Sequence, residues 1–209
     1  MKKIGFNIDK KITEILKAAP FTVSAEIIPP RNGLLNEETL LQIERLRNAG
    51  ADFIAVTKGA GGSLRSGSLP IAQIVKEQFN TPCIAHFTCR DLSPIEVENQ
   101  IMDHHYFGIR NILALRGDPP RDTQDWQPKA NSHHFAHQLI AQIKNLNEGN
   151  YLDRNSYEVD GRVHTDFCIG AAAYPEEPDR KKRILHFKQK VLAGAQYGIT
   201  QMVYSAESY

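Results

Sequence analysis

Three observations predict an α/β chain built as a (β/α)8 TIM barrel, one apparently truncated after about six strands. Short apolar runs alternate with segments of helical periodicity along all 209 residues, a pattern that implies a parallel sheet with right-handed crossovers. Polar residues suited to chemistry (Glu26, Thr57, His86, Asp118, Tyr174 and Gln201) stand at the end of one apolar run after another, which is how barrel enzymes distribute their sites. An open doubly wound sheet would instead gather them at one switch point, behind a GxGxxG turn after the first strand. Here the first strand ends in Glu26 and then Pro29-Pro30.

The elements follow in order. Residues 7–19 have helical spacing, with Ile8, Ile12, Ile15 and Leu16 on one face. Residues 21–28 read as a strand stopped by the two prolines, and 36–49 as a helix carrying Leu40, Leu41, Ile43 and Leu46 up to Gly50. A second strand at 53–57 leads into the loop Lys58-Gly59-Ala60-Gly61-Gly62-Ser63, followed by a helix over 70–78. The third strand is 83–89. Ser93-Pro94 then opens a helix in the N-cap and N1 manner, running to about Phe107. The fourth strand is 112–115, and a helix fits 132–146. Residues 147–166 are polar and irregular, an excursion from the pattern. A fifth strand at 167–174, a helix at 181–193 and a sixth strand at 199–205 complete the series.

Eight βα units usually need ~250 residues, so six strands in 209 residues leave two unpaired edges. Truncation, closure by a second copy, or a different strand count would each resolve this. Truncation is favoured, with 1–209 as one barrel domain that lacks its C-terminal βα units. The apolar content of 41% and formal net charge of +1 describe a globular chain without the basic excess of a nucleic-acid binder. Met1-Lys2-Lys3 is basic, but Asn7, Asp9, Lys10 and Lys11 interrupt any apolar continuation, so no signal peptide is expected. No run approaches the ~20 residues of a membrane span. A cytoplasmic protein with no membrane partner, and a possible homo-oligomer, is the expectation. Cys83, Cys89 and Cys168 lack CxxC spacing and lie in or beside apolar runs. They fit reduced, buried thiols, and no metal site is expected.

Arg116-Gly117-Asp118, directly after the apolar run 111–115, places a cation, a bare backbone and an anion at one strand end. Asp118 could cap the turn, but beside Arg116 and Gly117 a ligand contact is favoured. Glu26 in an apolar strand is either a rim carboxylate paired with Arg31 or a lysine, or a general acid with a raised pKa. His86, between Ala85 and Phe87, is either a satisfied core histidine or a ligand contact. The glycine loop would let a backbone approach a ligand, although without a following Lys-Ser/Thr it is no P-loop. The run Arg180 to Arg183 opens a helix, where cations oppose the macrodipole. It reads as a solvated face, with a phosphate contact as the sharper alternative. His104-His105 and His133-His134 are adjacent pairs whose side chains would diverge on a helix, which argues against joint ligand roles.

Together these segments resemble the methylenetetrahydrofolate reductase family of flavin-dependent barrel enzymes. The matching pieces are Ser24 to Arg31, Val56-Thr57, His86 to Cys89, Gly108 to Asp118, Ala173 to Glu176, Lys188 to Val191 with Ala193 to Ala195, and Ile199 to Gln201, in family order. The resemblance implies one-carbon metabolism. NADH or NADPH gives hydride to FAD, and the reduced flavin passes it to 5,10-methylenetetrahydrofolate, giving 5-methyltetrahydrofolate. It also implies roles for single residues: Glu26 as the general acid that helps form an iminium electrophile, Asp118 near flavin and pterin, and Gln201 as a pterin-contacting amide. Thr57, Ala60, His86, Arg116, Gly117, Ala136, Tyr174 and Lys190 would hold flavin or nicotinamide.

The chain departs from the family after Tyr174-Pro175-Glu176, where a Gly-His-Pro type loop is usual and Glu177-Pro178-Asp179 stands instead. The stretch to Lys190 is about four residues short. Arg183, His186 and Gln189 replace the family's flavin contacts, and Lys58 stands where an aromatic residue is common. All these changes fall on the flavin side, whereas Glu26, Asp118 and Gln201 are retained. Two alternatives follow: a flavin-independent reductase, and a non-catalytic folate-binding module.

Overall fold

The computed structural model describes residues 5–30, 37–62, 67–120, 125–153 and 163–208. Among them six strands, β1 Ser24–Ile27, β2 Phe53–Val56, β3 Cys83–Thr88, β4 Asn111–Leu115, β5 Cys168–Ala173 and β6 Tyr197–Thr200, form one sheet. Its order is β1-β2-β3-β4-β5-β6, and every adjacent pair is parallel. Each crossover advances one strand in the same direction. That is the wall of a barrel, since a doubly wound sheet would reverse its order partway.

Side chains alternate between the two faces of this wall. One face turns Ile54, Val56, Ala85, Phe87, Ile112, Ala114 and Ile169 toward the helices α2 Glu37–Asn48, α3 Ser68–Glu77, α4 Pro94–Tyr106 and α5 Ala136–Asn147. It is sealed by Ile43, Ile71, Val75, Ile101, Leu139, Ile140 and Ile143 in one core. The other face carries Phe53, Ala55, Ile84, Leu113, Cys168 and Tyr197, packed with Ile12 and Ile15 of the short helix α1 Ile12–Ala18. Helix α1 therefore closes one end of the interior surface and leaves the carboxyl end of the strands open.

Local chemistry sets the helix starts. Ser93 Oγ accepts from Glu96 N at 3.3 Å, and Glu96 Oε2 accepts from Ser93 N at 2.7 Å, a reciprocal capping box with Pro94 at N1. At the start of α6 (Arg180–Ala193), Asp179 Oδ1 accepts from Lys182 N at 3.0 Å. That carboxylate offsets the basic run that opens the helix.

The structure shortens four expected elements by three residues or more. The first helix starts at Ile12 rather than residue 7, because Asp9 is drawn into the floor of the sheet. Asp9 accepts from Cys83 N at 3.2 Å and from Asn111 Nδ2 at 3.1 Å. Asn111 also accepts from Ile12 N at 2.8 Å, and donates to Lys10 O at 2.9 Å and Cys83 O at 3.2 Å. The first strand spans only Ser24–Ile27. The fifth helix starts at Ala136, so His133 and His134 precede it instead of sharing a helical turn. Their rings go to Gln142 Oε1 (2.6 Å) and Lys129 O (3.2 Å). The last strand is Tyr197–Thr200, not 199–205. The three cysteines are free and buried. Arg31 and Ser63 lie outside the described residues.

Candidate active site

At the carboxyl end of the strands a cleft of about 630 Å³ is lined by residues from five of the six strands, from the loop after β2, and from α5 and α6. All eleven residues singled out from sequence face it: Glu26, Thr57, Ala60, His86, Arg116, Gly117, Asp118, Ala136, Tyr174, Lys190 and Gln201. Two of them lie within strands, where the period of two puts them on the interior face. Glu26 sits opposite Ala55 on the interior face of β1, and His86 opposite Leu113 on that of β3.

Glu26 is exposed at the cleft. Its side chain keeps 58% of its exposure, with Oε2 3.6 Å from His86 Nε2. Partial burial still holds its carboxyl above the ordinary range. His86 is buried, and burial pushes its imidazole down to about 4, so it is neutral at neutral pH. Its Nε2 has no hydrogen-bond partner among the described residues, nor do the buried hydroxyls of Thr57 and Thr88. Buried polar atoms left open cost ~1–3 kcal/mol each unless something pairs with them. Three of them on one cleft wall fit a polar ligand.

Asp118 is exposed, and its Oδ2 accepts from Gly61 N at 3.0 Å. The 3-10 turn Ala60–Gly62 is thus tied to the end of β4. Gly117 has φ +95°, and a Cβ there would lie 3.1 Å from the Cβ atoms of both Thr88 and Arg90. Only glycine fits without strain. Lys190 Nζ donates to Ala172 O at 2.8 Å and lies 5.2 Å from the Tyr174 ring centre. Burial lowers the lysine pKa. The Tyr174 phenol is raised, by burial first and then by Asp118. Gln201 stands just past β6, its N donating to Ala173 O at 2.8 Å.

Lys58 lines the cleft, but its ammonium lies 4.3 Å from the Phe87 ring centre and donates to Gln100 Oε1 at 3.2 Å, so it is engaged with the outer layer. The wall on α6 is cationic, with Lys182, Arg183 and His186 facing the space beside Gln189 and Lys190. The sharper reading of the basic run, a contact for a phosphate, thus finds two of its residues, Lys182 and Arg183, at the cleft.

Sequence reading missed Thr88 and the pair Phe135 and His137. Thr88 lies two residues beyond His86, so strand periodicity alone could have put both on one face. The Phe135 and His137 rings stack at 5.5 Å and 14° on the cleft rim. An aromatic residue just ahead of a helix gives no sequence signal of this kind. Among the described residues no cluster of His, Cys, Asp or Glu could hold a metal ion, and no helix is long and apolar enough to cross a membrane.

A singly wound parallel wall with an acid, an anion and a cationic side around one cleft at its strand ends defines a barrel-type domain with an enzyme-like site. The chain belongs to the methylenetetrahydrofolate reductase family, whose model matches residues 11–209. It is 32% identical over 191 residues to the 5,10-methylenetetrahydrofolate reductase of Escherichia coli, covering 90% of this chain and 56% of that protein. To methylenetetrahydrofolate reductase 1 of Schizosaccharomyces pombe it is 32% identical over 193 residues, covering 90% of this chain and 29% of that one. The chain thus spans about half the length of the bacterial relative and under a third of the yeast one. A Clostridium thermocellum protein that binds two copies of 5-methyl-5,6,7,8-tetrahydrofolic acid shares the fold. It is 17% identical, with a TM-score of 0.54, over 93% of this chain and 59% of that one.

Proposed function

We propose that this chain reduces 5,10-methylenetetrahydrofolate to 5-methyltetrahydrofolate, with NADH or NADPH as the hydride source and FAD as the carrier. The observation behind this reading is the convergence of Glu26, Asp118 and Gln201 on the cleft, with the Glu26 carboxyl held above its usual range. A carboxyl shifted in that direction holds its proton more readily than a free one and can donate it.

Opening the five-membered ring of the substrate requires a proton on the departing nitrogen N10, and this leaves an iminium carbon able to accept hydride. Glu26 supplies that proton. Asp118, anchored by the Gly61 amide, places a negative charge where the cationic folate develops. Gln201 contacts the pterin through its amide.

FAD, if held here, would supply hydride carriage between nicotinamide and folate. The residues present fit such a group. The open buried hydroxyls of Thr57 and Thr88 would receive its polar edge, and the bare backbone at Gly117 allows close approach. Ala60, Arg116, Ala136, Tyr174 and Lys190 complete that side, and the cations of α6 suit its phosphates.

The altered α6 wall also favours a second reading, in which hydride passes directly from nicotinamide to folate. An absorbance spectrum of the purified protein separates the two. Flavin bands that bleach with NADH or NADPH and recover with methylenetetrahydrofolate support the relay. Colourless protein that cannot be reconstituted with FAD, yet oxidises nicotinamide in the presence of the folate, supports the direct route. Folate binding without turnover would overturn both in favour of a binding module.

A further inference from the structure

We propose that Glu26 and His86 act as one unit, in which the His86 imidazole is a positioning residue that accepts the Glu26 O–H at Nε2 and keeps the acid protonated beside the cleft until the O–H turns to the substrate. The geometry motivates this pairing. Glu26 Oε2 and His86 Nε2 stand 3.6 Å apart, a small side-chain rotation from hydrogen-bond distance. His86 is 7% exposed, and its Nε2 has no hydrogen-bond partner among the described residues. Glu26 projects into the open space and His86 lies in the wall, so the pair has one mobile partner and one fixed partner.

A neutral imidazole can accept from a carboxylic acid but gives it no positive charge to lean on. Such a pair therefore favours the protonated acid, whereas an imidazolium would favour the carboxylate. His86 is of the first kind, because burial keeps it uncharged. Other charged or titratable groups face the cleft from neighbouring elements: Lys58 after β2, Arg116 and Asp118 after β4, His137 on α5, and Tyr174 and Glu177 after β5. From α6 come Lys182, Arg183, His186 and Lys190. Lys58 is engaged with Phe87 and Gln100, Asp118 with Gly61, and Lys190 with Ala172. Burial is what displaces both members of the pair.

This inference rests on the proposed folate chemistry for its purpose, though not for its existence. In the reaction the O–H bond of Glu26 breaks and an N–H bond forms on the folate nitrogen. The pair loses one proton and no electron, and solvent restores the proton afterwards. His86 changes no covalent bond to substrate.

The test is a pH titration of the protein labelled with ¹⁵N-histidine, followed by NMR, beside Glu26→Gln and with His86→Gln to identify the signal. The expected result is a His86 Nε2 signal that changes in step with Glu26 ionisation, at a pH above the ordinary carboxylate range. That step is absent in Glu26→Gln. A signal that does not move over this range, or that moves identically in Glu26→Gln, overturns the pairing. In the enzyme with bound FAD, His86→Gln should slow folate reduction on the order of 10-fold or more and displace its pH midpoint, while nicotinamide still reduces the flavin. Weaker flavin binding with an unchanged pH midpoint would make His86 a cofactor contact only and overturn the positioning role. A protein that shows the coupled titration but reduces no folate would refute the proposed function and leave the pairing intact.

Discussion

A carboxyl in the third position of β1 meets two environments at once, solvent on the cleft side and a buried imidazole on the other. That split holds the carboxyl above its ordinary range while it still reaches a ligand. Gly117 is a second position where a single atom decides the outcome. Gly117→Ala adds a Cβ 3.1 Å from both Thr88 and Arg90 at φ +95°. The expected cost is about 1–3 kcal/mol of stability, together with weaker ligand binding as Arg116 and Asp118 shift. Denaturant unfolding and ligand titration of the variant check both. Unchanged stability would show that the backbone there relaxes freely. The place of Glu26 and Asp118 at the cleft was legible in sequence because a charge beside an apolar strand is conspicuous. The half-exposed state of Glu26 was not, because exposure depends on which face of the wall the residue occupies and on what covers that face.

The segment before α1 shows why an element can be misplaced by periodicity alone. Ile8, Ile12, Ile15 and Leu16 fit one helical face, yet Ile8 is 62% exposed and the helix waits until Ile12. Hydrogen bonds that Asp9 accepts from Cys83 N and Asn111 Nδ2 hold residues 9 and 10 against the sheet, and no local pattern encodes contacts spanning 74 to 102 residues. Two measurements test this clip. Asn111→Ala leaves Ile12 N, Lys10 O and Cys83 O without their partner, and should cost about 3–5 kcal/mol on unfolding, given ~1–3 kcal/mol per buried orphan. A loss under 1 kcal/mol would mean that the segment repacks around the change.

Asp9 offers a pH readout of the same clip. Burial raises its carboxyl to about 7, against an unfolded value of 3.8. Between those values the folded state holds the proton that the unfolded chain releases, so its contribution to stability falls as pH rises from about 4 to 7. Asp9→Asn removes that slope. Its stability relative to the unsubstituted protein should grow over this window, by up to about 4 kcal/mol at 1.36 kcal/mol per pH unit. Parallel pH profiles for the two proteins would show that Asp9 is not the titrating group.

Across the chain, the six-strand sequential order was legible because each βα unit carries its own signals: an apolar run, a stop and a helical stripe. The cap at Ser93-Pro94 and the stop at Gly50 are local chemistry and emerged as read. The composition of the cleft wall was less legible, since α6 meets the strand ends only after the chain has wound around. Its basic residues could equally have faced solvent, and Arg180 and Lys181 do. The residues proposed to face folate and the basic α6 wall divide the site into two sides, and that division can be measured.

The most direct measurement is to follow the two half-reactions separately in Glu26→Gln by rapid mixing. The amide keeps the shape of the side chain but has no proton to give, so folate reduction should fall by at least about 100-fold, the lower end of general-acid contributions. Flavin reduction by nicotinamide should stay within a few-fold of the unsubstituted rate. Equal loss in both half-reactions, or full folate reduction by the variant, would contradict Glu26 as the proton donor.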